Sequence, residues 1–524
     1  MGIKLFLLII FFAVMVGVGF YSRRHVKSVD GFVLGGRSVG PWLTAFAYGT
    51  SYFSAVVFVG YAGQFGWKYG IASTWIGIGN ALIGSLLAWV VLGRRTKVMT
   101  QHLRAKTMPD FFGQRYGSKA LKIVASVIVF VFLIPYTASV YNGLSRLFGM
   151  AFNIPYTWCV IAMAVFTAIY VILGGYMATA INDFIQGIIM LFGIVAVIAS
   201  VLNGQGGFME AVSKMAQIPS DVPATMGQPG AFTSFFGPDP LNLLGVVILT
   251  SLGTWGLPQM IGKFYAIKDE KSINTGTVIS TLFAIVISGG CYFLGGFGRL
   301  FDSAEIYNAE TGAVVYDSII PSMLSKLPDI LIGIVVVLVL SASMSTLSSL
   351  VLTSSSTMTL DLLKDNIMKE MSEKKQIITM QILIVFFIVV SVVIALDPPT
   401  FIAQLMGISW GALAGAFLAP FLYGLYWKGI SKASVAVCFV WGCAVAVLQL
   451  VITLTGTDVS GWGTVLSYIF KSSINSGVVA MVGGLIIVPI VSAFTEKQDK
   501  KVLENIFSCY NETITITKKT SLQE

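Results

Sequence analysis

Long apolar segments recur along almost the whole of this 524-residue chain and constrain its fold more than any other feature. A helix needs about 20 predominantly apolar residues to cross a bilayer, whereas a strand of a membrane barrel needs only about 10. Thirteen segments have the helical length. We number them span 1 to span 13: 3–21, 41–66, 71–93, 122–145, 155–173, 181–201, 240–262, 274–298, 329–358, 376–396, 400–427, 433–454 and 476–494. The sequence predicts an all-α polytopic membrane protein with about 13 transmembrane helices.

Lysine and arginine residues are distributed unevenly between the two alternating sets of loops. Most of the 33 Lys and Arg residues fall in the set that contains loops 94–122, 263–271 and 364–375 and the C-terminal tail. Because basic loops remain in the cytoplasm, we expect a cell (plasma) membrane protein with its N-terminus outside and its C-terminus in the cytoplasm. The net charge of +9 then follows from topology, and we expect no nucleic-acid partner.

No set of residues suited to catalysis lies at membrane depth. Both histidines, His25 and His102, fall in basic loops, and the five cysteines show no paired spacing. We therefore expect no enzyme, no zinc site and no disulfide framework.

Spans 2 and 7 contain polar and helix-breaking residues. Span 2 carries the sequence GTS at 49–51, and span 7 carries Gly253, Gly256 and Pro258 within six residues. A Gly-rich packing seam explains either break taken alone. Interrupted spans in corresponding places of two halves instead indicate a transporter's binding site. The separation of five spans predicts two five-helix repeats of inverted topology, spans 2–6 and 7–11.

Span 9 ends in a run rich in serine and threonine, SASMSTLSSLVLTSSSTMTL at 341–360. Offsets of three and four residues place the hydroxyls of Ser345, Ser348 and Ser349 on one helix face. Such a row either lets two helices pack closely or offers neutral oxygens to a cation that has lost its water. Asp183, near the start of span 6, is interpreted as a helix N-cap or as a functional intramembrane carboxylate, and the two roles are compatible.

Four motifs occur in the same order as in a known protein family: DGFVLGGRSVG (30–40), GGYMATAINDFIQG (174–187), MSTLSSLVLTSSSTMTLDLL (344–363) and FLYGLYWKGISKAS (421–434). They resemble the sodium:solute symporter family, which includes proline, pantothenate, sialic acid and sugar transporters. The resemblance covers about residues 5–495. It implies the 5+5 inverted-repeat fold of the leucine transporter, and alternating access driven by the sodium gradient. We therefore expect a secondary transporter. The alternative is a solute sensor or sodium-conducting protein on the same scaffold, but a sensor is expected to carry an appended signalling domain, for which a tail of about 30 residues is too short.

The resemblance also implies a central sodium site built from neutral oxygens. Its ligands would be the carbonyl oxygens of Thr50, Phe53 and Ala342 and the hydroxyls of Ser345 and Thr346. Five such oxygens suit a hard monovalent cation, so Na+ is the only metal ion that we expect.

Some members of the family hold a second sodium ion between an acidic residue and further hydroxyls. The matching positions here are Asp183, Ser345, Ser348 and Ser349, which all carry oxygen. One and two sodium ions per solute therefore both remain open at this point.

The resemblance implies that seven residues surround the solute: Ser54, Asn80, Tyr136, Thr250, Thr254, Trp255 and Pro258. Proline transporters carry an Asp where this chain has Tyr52, whereas the run GLPQMIGKFYAIKD (256–269) is somewhat closer to the pantothenate branch. No Lys or Arg lies near the centre of a span, so half-helix N-termini and sodium would balance an anionic solute. We expect a small carboxylate-bearing solute, pantothenate-, proline- or monocarboxylate-like.

The chain is expected to divide into four parts. Residues 1–30 would form the first helix and a basic cytoplasmic loop, and 31–427 the inverted-repeat transport core. Residues 428–494 would add two peripheral helices, and 495–524 a cytoplasmic tail. The expected partners are a small-molecule solute, sodium ions and the lipid bilayer, and no feature of the sequence predicts an oligomeric state.

Overall fold

The structure is a computed structural model that describes residues 2–23, 28–398 and 400–511. Within these residues it is almost entirely helical and contains no β-strand. Part of the predicted basic loop (24–27) and part of the predicted tail (512–524) lie outside the described residues.

The α-helices of the described residues are α1 (Gly2–Ser22), α2 (Val29–Leu34), α3 (Pro41–Tyr52), α4 (Ala62–Tyr69), α5 (Thr74–Gly79), α6 (Arg94–His102), α7 (Met108–Tyr116), α8 (Lys119–Phe152), α9 (Tyr156–Gly204), α10 (Phe208–Gln217), α11 (Pro240–Leu252), α12 (Pro258–Ala266), α13 (Glu270–Gly295), α14 (Ile319–Ser325), α15 (Asp329–Thr357), α16 (Glu373–Leu396), α17 (Ile402–Tyr426), α18 (Lys432–Thr455), α19 (Thr464–Phe470), α20 (Ser473–Phe494) and α21 (Lys500–Ser508). The π-helical segments are Val56–Tyr61, Asn80–Leu87, Trp89–Gly93 and Met358–Ile367. The 3-10 segments are Gly35–Arg37, Gly70–Ser73, Pro223–Thr225, Ala231–Thr233, Gly253–Gly256, Gly298–Phe301, Ala304–Ile306, Tyr316–Ser318 and Ser460–Trp462.

The number of membrane crossings agrees with the predicted thirteen spans. Ten helical stretches of the described residues are long and apolar enough to cross a bilayer, and the bent pair α11–α12 makes eleven. Two of the ten, Val56–His102 and Tyr156–Gly204, have 47 and 49 residues, about twice what one crossing needs. The backbone turns inside both, at Gly70 (φ 61°, ψ −143°) and at Gly175 (φ 53°, ψ −147°). Dividing each at its glycine gives thirteen.

Span 2 is broken, as predicted, although the break lies a few residues after the GTS patch. Helix α3 ends at Tyr52, and Phe53 is extended (φ −106°, ψ 115°). The chain becomes helical again beyond Ser54, whose hydroxyl accepts a hydrogen bond from the Val56 N–H at 3.2 Å. Ser54 thus caps the second half of the span.

Span 7 is broken at the predicted position. Helix α11 passes through the 3-10 turn Gly253–Gly256, and α12 begins at Pro258 after an extended Leu257 (φ −88°, ψ 119°). The two parts are bent by 48°. Proline fits the first position of a helix because its missing N–H would have no partner there.

Close backbone approach brings the second half of span 2 against span 8. A Cβ atom added to Gly66 of α4 would lie 2.0 Å from the carbonyl oxygen of Gly295 at the end of α13. Helix α15, which carries the serine row, packs against α1, α3, α8 and α9, while α18 and α20 pack on α17. The serine row is therefore enclosed by helices that include the broken span 2.

Candidate cation- and solute-binding site

The C-terminal end of α3 presents carbonyl oxygens to the serine row of α15. Because α3 stops at Tyr52, its last carbonyls lack N–H partners one turn further along the same helix. The carbonyl oxygen of Thr50 instead accepts a hydrogen bond from the Ser345 hydroxyl at 2.9 Å and faces the Thr346 hydroxyl at 3.4 Å. The hydroxyl of Thr50 itself donates to Phe46 within α3. The negative end of the α3 dipole thus points at the row.

Four of the five predicted sodium ligands come together at this point. The carbonyl oxygen of Ala342 lies 3.0 Å from the Ser345 hydroxyl and 3.1 Å from the Thr346 hydroxyl. Both hydroxyls therefore bridge Ala342 and Thr50, on different helices. All five predicted ligands are buried, with at most 2% of any residue exposed.

The fifth predicted ligand, Phe53, occupies the extended residue of the break. An oxygen that was not predicted, the carbonyl of Ser51, lies 3.4 Å from the Thr346 hydroxyl. Its position next to Thr50 at a helix C-terminus is the sequence signal that could have revealed it.

Two of the four residues predicted for a second sodium site, Asp183 and Ser349, contact a lysine side chain. Asp183 lies in the interior of α9, eight residues after the turn at Gly175, so the N-cap interpretation is wrong. Its Oδ2 atom is 3.7 Å from the Nζ atom of Lys263, and the side chains are 0% and 3% exposed. Lys263 also donates to the Ser349 hydroxyl at 3.0 Å. Ser348 donates to the carbonyl of Ser345 within α15.

Lys263 lies within the last turns of span 7, away from its centre, and not in the loop to which the prediction assigned it. The prediction ended span 7 at residue 262 and assigned Lys263 to a basic loop, whereas α12 continues to Ala266 and turns this residue inward. The apolar neighbours Ile261 and Phe264, both buried, were the sequence signal that the helix continues.

Four of the residues predicted to bind solute lie on spans 3 and 7, and each of them makes a hydrogen bond there. The side-chain oxygen of Asn80 accepts from Thr250 at 2.9 Å, and its amide donates to Ser288 at 2.9 Å. Thr254 donates to the carbonyl of Ser251 at 2.9 Å. The indole N–H of Trp255 donates to the carbonyl of Ile83 at 3.0 Å.

The other three predicted residues lie around this group. Ser54 caps the second half of span 2, and Pro258 begins α12. The hydroxyl of Tyr136 is buried and has no hydrogen-bond partner among the described residues. A polar atom in this position is suited to a ligand that brings its own acceptor or donor.

Tyr52 and Trp410, two aromatic residues that were not predicted to contact solute, lie where the two broken spans meet. The Trp410 ring of α17 lies 6.0 Å from the rings of both Tyr52 and Tyr136. The Tyr52 hydroxyl donates to the carbonyl of Thr250 at 2.5 Å. In the sequence, neither Tyr52 nor Trp410 can be distinguished from the many aromatic residues of the core. Only their positions next to the breaks in the folded protein identify them as candidates.

Two openings lie on different sides of the protein, and one of them reaches residues of the site. A narrow cleft of about 50 Å³ reaches Lys263 and Ser349 from the loop of Lys106 and Thr107. A larger cavity of about 410 Å³ opens on the other side and is lined by charged and aromatic residues that include Lys68.

Beside that larger cavity, Asp317 joins the 3-10 segment Tyr316–Ser318, which lies outside the membrane spans, to the start of α17. Its Oδ2 atom accepts a hydrogen bond from the N–H of Ile402, at the start of α17, at 3.3 Å. Burial raises the pKa of Asp317 from 3.8 to about 6, although the Arg146 guanidinium and the Ile402 N–H both favour the charged form.

The sequence profile of the sodium:solute symporter family matches residues 32–442. The sodium/proline symporter 2 of Staphylococcus saprophyticus is 29% identical over 454 residues, covering 85% of each protein. A sodium/proline symporter of Staphylococcus aureus (strain JH9) is 29% identical over 507 residues, covering 94% of this chain and 92% of the relative.

Solved structures are similar along nearly the whole chain. A Na+-coupled sialic acid symporter in a substrate-bound outward-open state has a TM-score of 0.74 and 16% identity, covering 95% of this chain and 98% of its own. A nucleobase-cation-symport-1 family transporter in a closed conformation has a TM-score of 0.52 and 13% identity, covering 91% and 97%. These likenesses confirm the predicted inverted-repeat fold of the leucine-transporter type.

Proposed function

The chain belongs to the sodium:solute symporter family, and from that membership we propose that it performs sodium-coupled symport of a small organic solute by alternating access. One observation carries the proposal. Two carbonyl oxygens and two hydroxyls, from Thr50, Ala342, Ser345 and Thr346, converge at the unwound part of span 2, with 2.9–3.4 Å between partners.

This arrangement can exchange its internal hydrogen bonds for a cation. The hydroxyl hydrogens of Ser345 and Thr346 now point at carbonyl oxygens. A hydroxyl rotates freely to suit its partner and has two acceptor lone pairs. A sodium ion in their midst is therefore held by four oxygens from two helices, next to the negative end of the α3 dipole.

Sodium bound in this way favours the conformation in which α3 and α15 are close together. A ligand shifts a conformational equilibrium only as far as its affinity differs between the states. Because the oxygens belong to separate elements, separation of α3 and α15 divides the site and releases the ion. The sodium gradient can thus bias the opening of the transporter to one side of the membrane.

We propose that the solute is small and carries a carboxylate, as pantothenate, proline and monocarboxylates do. The surrounding groups are neutral and polar at Asn80, Thr250 and Thr254, and aromatic at Tyr136 and Trp410. Both relatives described above are named sodium/proline symporters at 29% identity, which makes proline one member of the test panel. Because this chain has Tyr52 where proline transporters carry an Asp, the other carboxylates are tested on equal terms with proline.

The proposal places the protein in the cell membrane with its N-terminus outside and its C-terminus in the cytoplasm. The basic segments 94–122 and 267–271 then face the cytoplasm. Residues 31–427 form the transport core in this proposal, and α18 and α20 are peripheral helices.

Uptake into proteoliposomes under an inward sodium gradient tests the proposal. The panel is labelled proline, pantothenate, short monocarboxylates, sialic acid and glucose, each repeated with the double variant Ser345→Ala/Thr346→Ala. We expect accumulation of one carboxylate that disappears with the gradient and with the double variant. Solute binding or sodium leak without accumulation would favour a sensor or sodium-conducting protein on the same scaffold.

A further inference from the structure

Lys263 and Asp183 form an ion pair in the interior of the protein, next to the central site. The residues lie on α12 and α9, and the distance from Nζ to Oδ2 is 3.7 Å with both side chains almost fully buried. Ionisable residues at membrane depth are costly unless paired, and they commonly mark an ion or substrate pathway. Among the described residues, no other ion pair or hydrogen bond reaches the Asp183 carboxylate.

The ammonium group of Lys263 has the surroundings of a bound cation. It donates to the Ser349 hydroxyl at 3.0 Å and lies 5.2 Å from the centre of the Tyr176 ring. The Ser349 hydroxyl is in turn 2.8 Å from the Ser51 hydroxyl, beside the Thr50 carbonyl. An ammonium, a carboxylate, a hydroxyl and an aromatic face thus link α12, α9, α15 and α3.

The same four residues, Asp183, Ser345, Ser348 and Ser349, were predicted to hold a second sodium ion. Asp183 and Ser349 contact the ammonium instead. Ser348 donates to its own helix, and Ser345 turns its hydroxyl toward the central site. Among these side chains, only the Oδ1 atom of Asp183 has no partner in the described residues, and one oxygen does not make a cage independent of Lys263.

Electrostatics oppose a sodium ion in addition to the ammonium. Asp183 supplies one negative charge, and Lys263 already balances it. A second monovalent cation within a few ångströms would leave the group with a net positive charge in a region of low dielectric constant, where repulsion between like charges is several times stronger than in water.

We infer that Lys263 provides a tethered cation in place of a second sodium ion, so that the protein binds one sodium ion, at the central site, and couples one to each solute. The inference rests on the proposed function, because it takes the central oxygens as the sodium site. The cleft of about 50 Å³ that reaches Lys263 and Ser349 gives an entering ion a route once the ammonium is removed.

Counting bound sodium tests the inference without knowledge of the solute. Saturation binding of 22Na+ is measured on the purified full-length protein in detergent, with thermal melting of each variant as a check on folding. We expect one ion per wild-type protein with a Hill coefficient of one. In Lys263→Gln, where Asp183 is left without its counter-charge, we expect two ions per protein.

Two further variants identify the ligand of the added ion. Lys263→Gln/Asp183→Asn should return the count to one, and Lys263→Arg, which keeps the charge, should bind one. Two ions bound by the wild type, or one ion bound by folded Lys263→Gln, would overturn the inference and leave the proposed function standing. No bound sodium in the wild type would instead overturn the proposed function.

Discussion

The hydroxyl of Ser345 lies 2.9 Å from the carbonyl oxygen of Thr50, although 295 residues of chain separate them. The contact joins the end of a half-helix in span 2 to the middle of span 9. If the Ser345 hydroxyl bonded only a carbonyl of its own helix, that bond would do no more than offset the cost of burying the hydroxyl. Ser345 also bonds Ala342 within α15, and the additional bond across the break is what makes the position a candidate ligand.

Replacement of Ser345 by alanine should weaken sodium activation. Hydrogen bonds and ligands to a charged group contribute about 1.5–3 kcal/mol, so we expect the sodium concentration for half-maximal uptake to rise about 10- to 100-fold. The matched control is Ser355→Ala, on the same helix, whose hydroxyl bonds the carbonyl of Leu352 three residues earlier. Equal effects of the two variants would contradict the assignment of Ser345.

Replacement of Tyr52 by phenylalanine should loosen the contact between the two breaks. The Tyr52 hydroxyl donates to the carbonyl of Thr250, and a net hydrogen bond contributes about 0.5–1.5 kcal/mol. We expect KM for the solute to rise by up to about tenfold in initial-rate uptake. Tyr116→Phe removes a similar buried bond, to the Pro420 carbonyl, far from the breaks, and should leave KM unchanged. If Tyr52→Phe left KM unchanged, the bond from Tyr52 to Thr250 would not contribute to solute binding.

The stability of the protein should depend on pH through Asp317. Burial raises its pKa from 3.8 to about 6 in the folded protein, so the folded state binds the proton more tightly than the unfolded chain. The stabilising contribution is then fully present below about pH 4 and is lost as pH rises through about 6. We expect the wild-type melting temperature in detergent to fall relative to that of Asp317→Asn between pH 4.5 and 7. If the melting temperatures of the two proteins changed equally with pH over this range, the prediction would be refuted.

The seam between α4 and α13 should tolerate no side chain at Gly66. An added Cβ atom would meet the carbonyl oxygen of Gly295 at 2.0 Å, and backbone cannot move aside as a flexible side chain can. Overpacking of this kind costs about 1–3 kcal/mol, so Gly66→Ala should lower the melting temperature. Gly289→Ala, on α13, is the control, since no heavy atom of the described residues lies within 4 Å of its added Cβ. A stable Gly66→Ala protein would show that the seam is looser than described.

The sequence was informative wherever a local rule applied. Apolar segment length predicted the thirteen spans, because a bilayer of fixed thickness sets the length of a helix. Gly253, Gly256 and Pro258 predicted the break of span 7, since these residues disfavour a continuous helix whatever surrounds them. Span 2 was predicted less accurately, because its extended residue, Phe53, is neither Gly nor Pro and does not by itself mark the end of a helix.

The sequence by itself determined that the protein is a polytopic helical membrane protein, how many spans it has, that spans 2 and 7 are broken, and that the serine row of span 9 is a candidate cation site. Only the tertiary structure decided that Lys263 pairs with Asp183 and that Trp410 stands between Tyr52 and Tyr136. The physical reason is the same in both cases. Charge pairing and ring packing depend on which helices become neighbours, and residues 80 or more positions apart in the chain carry no local signal of that proximity.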